Sequence, residues 1–397
     1  MIGTISIYCI DGENYRTIGN MKKKSPYRLL TTTVADQLRL AKNKKNKTIG
    51  KVLKDRSTIL AAFHTANRIY WFDGRENGTW FTSSYYTGKS PQCVNFFNYS
   101  KIIENYLSKP WKTLYDINTY TRSISDDNES EKPFKGEEIS VFPDVISNLR
   151  NQNDNFSIIA STPSVNLFTN DFAKAAIIGE KLATLPPIKG HQFGLASKKI
   201  EDTYLHLDKD LADLFSFLDN QVGEGNYTLF LTNDHGAVHV PYYLQTLKIP
   251  ADYFNEYGFE TYLNNVSQKH FNSNELIENV FKFNVSLNHK KIESLKLDVN
   301  IVSRKLANEA IKYKRIYKAA TARTLQTTTF TNRILNTLKN RYSQKISRHI
   351  LLIRNSSIIS RGHHMILDTV KINIFQLFFT ETKLKKVVQK RNMKLFI

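Results

Sequence analysis

The sequence predicts an α/β fold. An amphipathic helix at residues 200–218 leads through a glycine turn into an apolar strand at residues 227–232, a succession typical of α/β proteins. Two further strands, rich in aromatic residues, are separated by Asp-Gly and Asn-Gly turns. At 397 residues the chain is long enough for one large domain with insertions or for two ordinary domains.

The first part of the chain alternates helical and strand patterns. Apolar residues recur at helical spacing from Leu30 to Ala41, and residues 48–53 then form a short strand pattern. Lys54 and Arg56 therefore lie where a strand is expected to end. Residues 68–72 and 79–86 follow, and their aromatic and β-branched side chains on either side of the turn residues predict a hairpin.

The middle and end of the chain carry longer elements. Residues 122–140 are polar and predict a surface loop. Residues 166–185 predict a helix that Asn170 or Asp171 caps, and the helix at 200–218 is expected to stop near Gly223. Residues 301–316 can form another helix, and residues 361–397 shift to a basic composition that indicates a divergent tail.

Charge and cysteine content limit the classes of function. The net charge of +20 raises the question of nucleic acid, but the lysines lie in short runs such as 22–24 and 42–47. Since we find no signature of a nucleic-acid-binding module, a basic solvated surface is favoured over a nucleic-acid partner. The two cysteines, Cys9 and Cys93, exclude a disulfide-rich scaffold and a thiolate zinc cluster.

The sequence indicates neither a membrane span nor a signal peptide. No segment reaches the roughly 18 to 20 uninterrupted apolar residues that a membrane helix requires. Residues 1–9 form a short strand-like run without a basic segment or a small-residue cleavage site. As written, the chain is expected to stay in the cytoplasm.

Three places carry residues suited to phosphate or metal chemistry. Asp234 and His235 follow the apolar strand directly, so a carboxylate and an imidazole could reach one zinc ion, although the tripeptide with Gly236 is also common in loops. His191 could be a ligand or a residue that orients a loop. Lys54 and Arg56 could hold the oxygens of a phosphoryl group, or could be a pair of surface charges.

Taken in this order, the motifs resemble one family, the large threonine-nucleophile alkaline phosphatases of the periplasm, within the alkaline phosphatase superfamily. The similarity extends from about Tyr8 to about Ser360. It includes the segments Lys54-Asp-Arg-Ser-Thr-Ile-Leu60, Tyr70-Trp-Phe-Asp-Gly74, Thr169-Asn-Asp-Phe-Ala-Lys-Ala-Ala176, Gly190-His-Gln-Phe-Gly194 and Leu231-Thr-Asn-Asp-His-Gly-Ala237.

The resemblance implies a fold, a cofactor and a set of roles. It implies a central, mostly parallel sheet flanked by helices, with an inserted hairpin and loop region at about 66–145, in a partial domain from 8 to 360. It implies two zinc ions and a phosphate-ester substrate. Lys54 and Arg56 would bind the transferred phosphate, Asp234 and His235 would hold the zinc that activates the nucleophile, and His191 would bind the other zinc.

The sequence also departs from this family at the N-terminus, around 183–190 and after about 362. The segment that carries the nucleophilic threonine has no counterpart, so no catalytic nucleophile is assigned. Pro187 replaces the aspartate expected four residues before His191. The last zinc histidine is also missing; His363 and His364 are weak candidates, and His239 is better explained as a loop residue.

These departures leave three functional readings open. The first is an impaired phosphate-monoester hydrolase that holds at most one weakly bound zinc. The second, from another class, is a non-catalytic remnant of such an enzyme. The third is a relative with phosphodiesterase or sulfatase specificity, which the Lys54 and Arg56 pair makes less favoured than the monoesterase.

Overall fold

A computed structural model describes most of the chain. The described residues are 8–20, 22–45, 47–62, 64–180, 193–227, 229–231, 239–281, 284–342, 349–355, 358–360 and 378–380. They belong to two compact units: an N-terminal unit of residues 4–232 with 376–397, and a C-terminal unit of residues 1–3 with 233–375. Both units combine helices with sheets, so the α/β class is confirmed.

The N-terminal unit begins with a sheet-rich half and ends with two long helices. Its strands are β1 (Asp11–Ile18), β2 (Lys23–Lys24), β3 (Ile49–Val52), β4 (Arg68–Asp73), β5 (Thr79–Ser83) and β6 (Leu229–Leu231). Its helices are α1 (Val34–Ala41), α2 (Asp55–Ala62), α3 (Gln92–Tyr99), α4 (Ile102–Leu107), α5 (Ile146–Leu149), α6 (Ser164–Glu180) and α7 (Lys198–Val222).

Five of these strands form one sheet in the order β2-β1-β5-β4-β3. The predicted hairpin is confirmed, because β4 and β5 pair antiparallel, whereas β3 and β4 pair parallel and are connected through α2. The described strand pairs are therefore mixed, where the resemblance implied a mostly parallel sheet. Within this sheet short turns join β1 to β2 and β4 to β5, and a short turn permits only antiparallel pairing.

An aromatic cluster fixes the hairpin against α6. The rings of Trp80 and Phe172 stack with centroids 4.0 Å apart and planes 11° apart. Phe72 and Tyr70 approach Phe168 and Phe172 edge-on, at 5.2 and 5.5 Å. All five side chains are buried, so apolar burial and ring geometry together hold the hairpin on the helix.

The predicted cap of α6 is wrong. The helix begins at Ser164, six residues before Asn170, which lies inside it and is fully buried. The Asn170 side chain instead donates a hydrogen bond to the carbonyl of Asp210 on α7, at 3.1 Å. The polar side chain thus links two helices, a role that local sequence cannot distinguish from capping.

Helix α7 is confirmed, although its buried face is more polar than expected. Ser197 caps its start and Gly223, with φ of 91°, ends it. Leu214 and Leu218 are buried, but Tyr204 is 60% exposed. Asp202 is fully buried and accepts hydrogen bonds from the Trp111 indole and the Leu114 amide, at 2.7 and 2.8 Å.

The polar segment 122–140 has no helix or strand, as predicted, but it is only partly a surface loop. Phe134 is 2% exposed and packs its ring against Phe193. Beside it lies the buried ion pair of Lys199 and Asp144, both side chains of which are wholly inaccessible. The Lys199 ammonium also lies 5.1 Å from the Trp111 ring, which adds a cation–π contact.

The C-terminal unit contains the rest of the described elements. Its helices are α8 (Pro241–Thr246), α9 (Glu256–Phe271), α10 (His289–Ser294), α11 (Val299–Ala310), α12 (Ala322–Thr327) and α13 (Arg333–Arg341). Its strands are β7 (Asp252–Phe254), β8 (Ile277–Phe281), β9 (Asn284–Leu287), β10 (Ile316–Thr321), β11 (Ile350–Arg354) and β12 (Ile358–Ser360).

Two sheets organise these elements. Strands β10-β11-β9-β8 form an antiparallel sheet, and β7 pairs parallel with β12. The helix expected at 301–316 is present as α11, but it ends at Ala310 and Ile316 already begins β10. The last described strand, β13 (Phe378–Thr380), belongs to the N-terminal unit and pairs with β6. None of the described helices has both the length and the apolarity of a membrane span.

Breaking the buried ion pair should destabilise the N-terminal unit strongly. We expect Asp144→Ala to lower the free energy of unfolding by about 3 to 5 kcal/mol, because it leaves the Lys199 ammonium buried without its carboxylate. Asp213→Ala is the matched control, since Asp213 pairs with Lys174 at the surface and its side chain is 54% exposed; it should cost less than about 1 kcal/mol. Urea unfolding measures both, and equal losses would contradict this account.

Candidate functional site

The candidate site is built on a strand–helix–strand unit. β3 and β4 run parallel with Val52 opposite Trp71, and the Phe72 amide donates to the Leu53 carbonyl at 3.2 Å. The carboxyl ends of both strands therefore reach the same edge of the sheet. Ligands of α/β proteins bind at such an edge.

Helix α2 lies unusually close to β3. A Cβ atom added at Gly50 would lie 2.5 Å from the Cβ of Ala62, so a glycine is required at this position. The Thr58 hydroxyl faces the carbonyls of Val52, Lys54 and Tyr70 at 3.1 to 3.3 Å, and it can donate to one of them at a time. These contacts fix where α2 starts, immediately after Lys54.

Lys54 lies in the turn after β3, where the sequence predicted the end of a strand, and Arg56 is the second residue of α2. Both side chains are exposed, and within the described ranges neither forms an ion pair. The Arg56 guanidinium lies 5.8 Å from the centroid of the Tyr8 ring. Two unpaired cations at the start of a helix form a suitable environment for an anion.

Asp55, which lies between these two residues in the sequence, interacts with other side chains. Asp55 accepts a hydrogen bond from the Tyr8 hydroxyl at 3.0 Å, and the Lys24 ammonium lies 3.8 Å from its second oxygen. Burial, followed by the negative charge of Asp55, raises the pKa of Tyr8 to about 12, so this hydroxyl remains a hydrogen-bond donor at neutral pH. Asp55 therefore does not neutralise Lys54 or Arg56.

A cleft of about 350 Å³ opens at this sheet edge. Its lining includes four cations and three acids, namely Lys22, Lys24, Lys54, Arg75, Asp55, Asp73 and Asp154, whereas Arg56 lies outside the lining. Lys22 pairs with Asp73 at 3.0 Å and Lys24 with Asp11 at 2.6 Å, which leaves Lys54 as the lining lysine without a described carboxylate partner. The cleft can therefore receive the oxygens of an anion at Lys54 while its other lysines are held in place.

The predicted metal ligands cannot be placed in this geometry. His191, Asp234 and His235 lie outside the described residues, as do His363 and His364. His239 is described, and it lies in the loop before α8 with its ring 4.7 Å from that of Tyr243. Within the described residues there is no group of three or more histidine, cysteine or acidic side chains placed to hold a metal ion.

Sequence reasoning missed Tyr8, Lys24 and Asp73 as parts of this site. Asp73 carried a signal, since it ends an aromatic strand, but the Asp-Gly step was interpreted only as a turn. Tyr8 and Lys24 reach Asp55 through the tertiary fold, and local pattern gives no indication of such contacts.

The close approach of α2 to β3 gives a sharp test. Gly50→Ala should lower the free energy of unfolding by about 1 to 3 kcal/mol, because the new methyl group overlaps Ala62. Gly88→Ala is the matched control, since nothing lies within 4 Å of its added Cβ. Denaturant unfolding of both variants measures the difference, and equal stabilities would show that α2 is not held at this distance.

Comparisons with known proteins give the family. Residues 188–355 match the type I phosphodiesterase/nucleotide pyrophosphatase family. The chain is 40% identical over 306 residues to a calcium-transporting ATPase of Myroides odoratus, covering 73% of this chain and 56% of that protein. It is 43% identical over 260 residues to alkaline phosphatase PhoV of Synechococcus elongatus, covering 62% and 46%. The chain thus spans about half the length of these two relatives.

A third relative is matched over more of its length. Alkaline phosphatase PafA of Elizabethkingia meningoseptica is 32% identical over 371 residues, which cover 89% of this chain and 67% of PafA. The crystal structure of wild-type PafA superposes with a TM-score of 0.81 at 31% identity, covering 90% of this chain and 71% of that one. A solved PafA variant carries four substitutions, among them a lysine and an arginine two positions apart replaced by alanine. The chain therefore belongs to the same family as alkaline phosphatase PafA, within the alkaline phosphatase superfamily.

Proposed function

We propose that this chain is a phosphate-monoester hydrolase in which Lys54 and Arg56 bind the phosphoryl group. The observation that carries the proposal is the placement of two exposed cations, unpaired within the described ranges, at the carboxyl end of β3 and the start of α2. Their spacing also equals that of the lysine and arginine replaced in the PafA variant.

The two side chains would bind different oxygens of the phosphoryl group. Arg56 presents a planar fork that can hold two phosphoryl oxygens at once, and Lys54 acts as a compact charge on a third. A monoester carries more negative charge on its phosphoryl oxygens than a diester, so two cations favour the monoester. Both cations would be placed where charge lies on the phosphoryl oxygens during transfer, so they would stabilise the transition state more than the bound substrate.

The remaining donors suit a metal ion. Asp234 and His235 supply a carboxylate and an imidazole for one zinc ion, and His191 supplies an imidazole for the other; these are ligand types that zinc prefers. Zinc bound there would supply a Lewis acid that polarises a phosphoryl oxygen and lowers the pKa of a bound nucleophile. Pro187 stands where the family places another aspartate ligand, and we propose that this substitution weakens the metal site and impairs the activity.

A diester substrate is the second candidate. It is favoured by the match of residues 188–355 to the phosphodiesterase/nucleotide pyrophosphatase family. Rates with an aryl phosphate and with the corresponding diaryl phosphate separate the two, and faster diester hydrolysis would replace the monoesterase proposal.

Removing the two cations should slow turnover. We expect slow, zinc-dependent hydrolysis of an aryl phosphate by this chain, and a fall of at least about tenfold in kcat/KM for Lys54→Ala/Arg56→Ala, since roughly 1.4 kcal/mol or more of transition-state stabilisation is lost. Lys89→Ala/Arg122→Ala removes the same charge from exposed positions away from the cleft and should keep the rate.

The background rate for this assay is the rate of aryl phosphate hydrolysis by the variant Asp234→Ala/His235→Ala. A parent rate equal to that background would favour the non-catalytic remnant over the enzyme. Full activity in Lys54→Ala/Arg56→Ala would contradict the role of the cations.

Metal content tests the proposed ligands independently of turnover. We expect at most one zinc per chain, removed by mild chelation, because few of the family's ligands are present and affinity depends on a preorganised set. Asp234→Ala/His235→Ala should lose it. Metal analysis after dialysis gives the number, and two tightly held zinc ions would mean that other residues, first His239, His363 and His364, serve as ligands.

A further inference from the structure

A second cationic cavity lies in the C-terminal unit, apart from the residues discussed above. It has a volume of about 210 Å³ and lies between one face of α11 and the segment from the end of β10 through α12. Asn300 and Arg304 are one helical turn apart on α11. Arg323, Thr324 and Thr328 face them across the cavity.

The lining contains cations and hydroxyl groups but no carboxylate. Arg304 and Arg323 are both exposed, and the described part of the chain offers neither of them an ion pair. The acid on α11, Glu309, is already engaged by Lys305 and Lys312 at 3.3 and 2.9 Å. Between Val299 and Tyr342 the sequence has no other acidic residue, so the positive charge of the cavity is not cancelled locally.

The acid Asp298 precedes α11, and its carboxylate caps that helix. It caps α11 by accepting hydrogen bonds from the amides of Asn300 and Ile301, at 2.6 and 3.2 Å. These bonds, with a smaller contribution from the charge of Arg323, lower the pKa of its carboxyl. It does not approach Arg323 closely enough to form an ion pair.

The hydroxyl groups complete a donor set. The Oγ1 atoms of Thr321 and Thr324 are 2.8 Å apart, so one of them donates to the other and one hydroxyl hydrogen is left for a ligand. The Thr328 hydroxyl makes no hydrogen bond among the described residues. Guanidinium forks with hydroxyl donors match a tetrahedral oxyanion in charge and in geometry.

From this we infer that the cavity between α11 and α12 is a binding site for a tetrahedral oxyanion, a phosphate or sulfate group, held by Arg304 and Arg323. The site is independent of the proposed phosphoryl site at Lys54 and Arg56, because its residues belong to the other unit. It requires no metal ion and no activity.

The test uses inorganic phosphate and the full chain with a chelator present, so that metal does not contribute. Isothermal titration calorimetry compares two proteins. The first is Lys54→Ala/Arg56→Ala, which lacks the proposed phosphoryl site, and the second carries Arg304→Gln/Arg323→Gln in addition. Binding should persist in the first protein and weaken at least tenfold in the second, and sulfate should compete with phosphate. The unfolding midpoint of each variant shows that the fold is retained.

Two further variants separate a built site from general positive charge. Lys290→Gln/Lys314→Gln removes the same charge from exposed positions of the same unit and should leave phosphate affinity unchanged. Arg304→Lys/Arg323→Lys keeps the charge but not the forks and should bind several-fold more weakly. Absence of phosphate binding in Lys54→Ala/Arg56→Ala would overturn the inference. So would equal losses of affinity in Arg304→Gln/Arg323→Gln and in the control Lys290→Gln/Lys314→Gln.

Discussion

The parallel pairing of β3 with β4 is the constraint on which the candidate site depends. It brings Lys54 and Asp73 to one edge of the sheet and requires α2 to cross back over β3 between the two strands. The helix lies so close that Gly50 has no room for a side chain. If this pairing were lost, Lys54 would no longer lie at the sheet edge that carries the cleft.

The electrostatics of the cleft follow from that arrangement. Asp55 stands between the two cations in sequence, yet Tyr8 and Lys24 hold its carboxylate. Lys22 in turn holds Asp73. Because Asp55 and Asp73 are held by these neighbours, Lys54 and Arg56 form no ion pair with them and keep their charge available for an anion.

The same N-terminal unit is stabilised by contacts far from the cleft. Trp80 and Phe172 stack to hold the hairpin on α6, and Lys199 and Asp144 pair in the interior beside segment 122–140. A buried pair adds little net stability compared with apolar side chains, but removing one partner is costly. The pair therefore ties Asp144, just beyond this segment, to α7.

Much of the fold could be predicted from the sequence, because periodicity and turn residues are local signals. The hairpin, α1 and α7 were found in this way, and the long motifs around Lys54 gave the family. Other features depend on tertiary contacts: Asn170 has the chemistry of a cap but binds α7, and Tyr8 reaches Asp55 across 47 residues. The proposed metal ligands lie outside the described residues and remain predictions from the sequence.

A crystal structure of the chain soaked with vanadate or phosphate would test the central claim most directly. We expect an oxyanion within hydrogen-bonding distance of both the Lys54 ammonium and the Arg56 guanidinium, about 2.7 to 3.2 Å, at the carboxyl end of β3. An oxyanion bound elsewhere in the N-terminal unit, with Lys54 and Arg56 pointing away from it, would contradict the account.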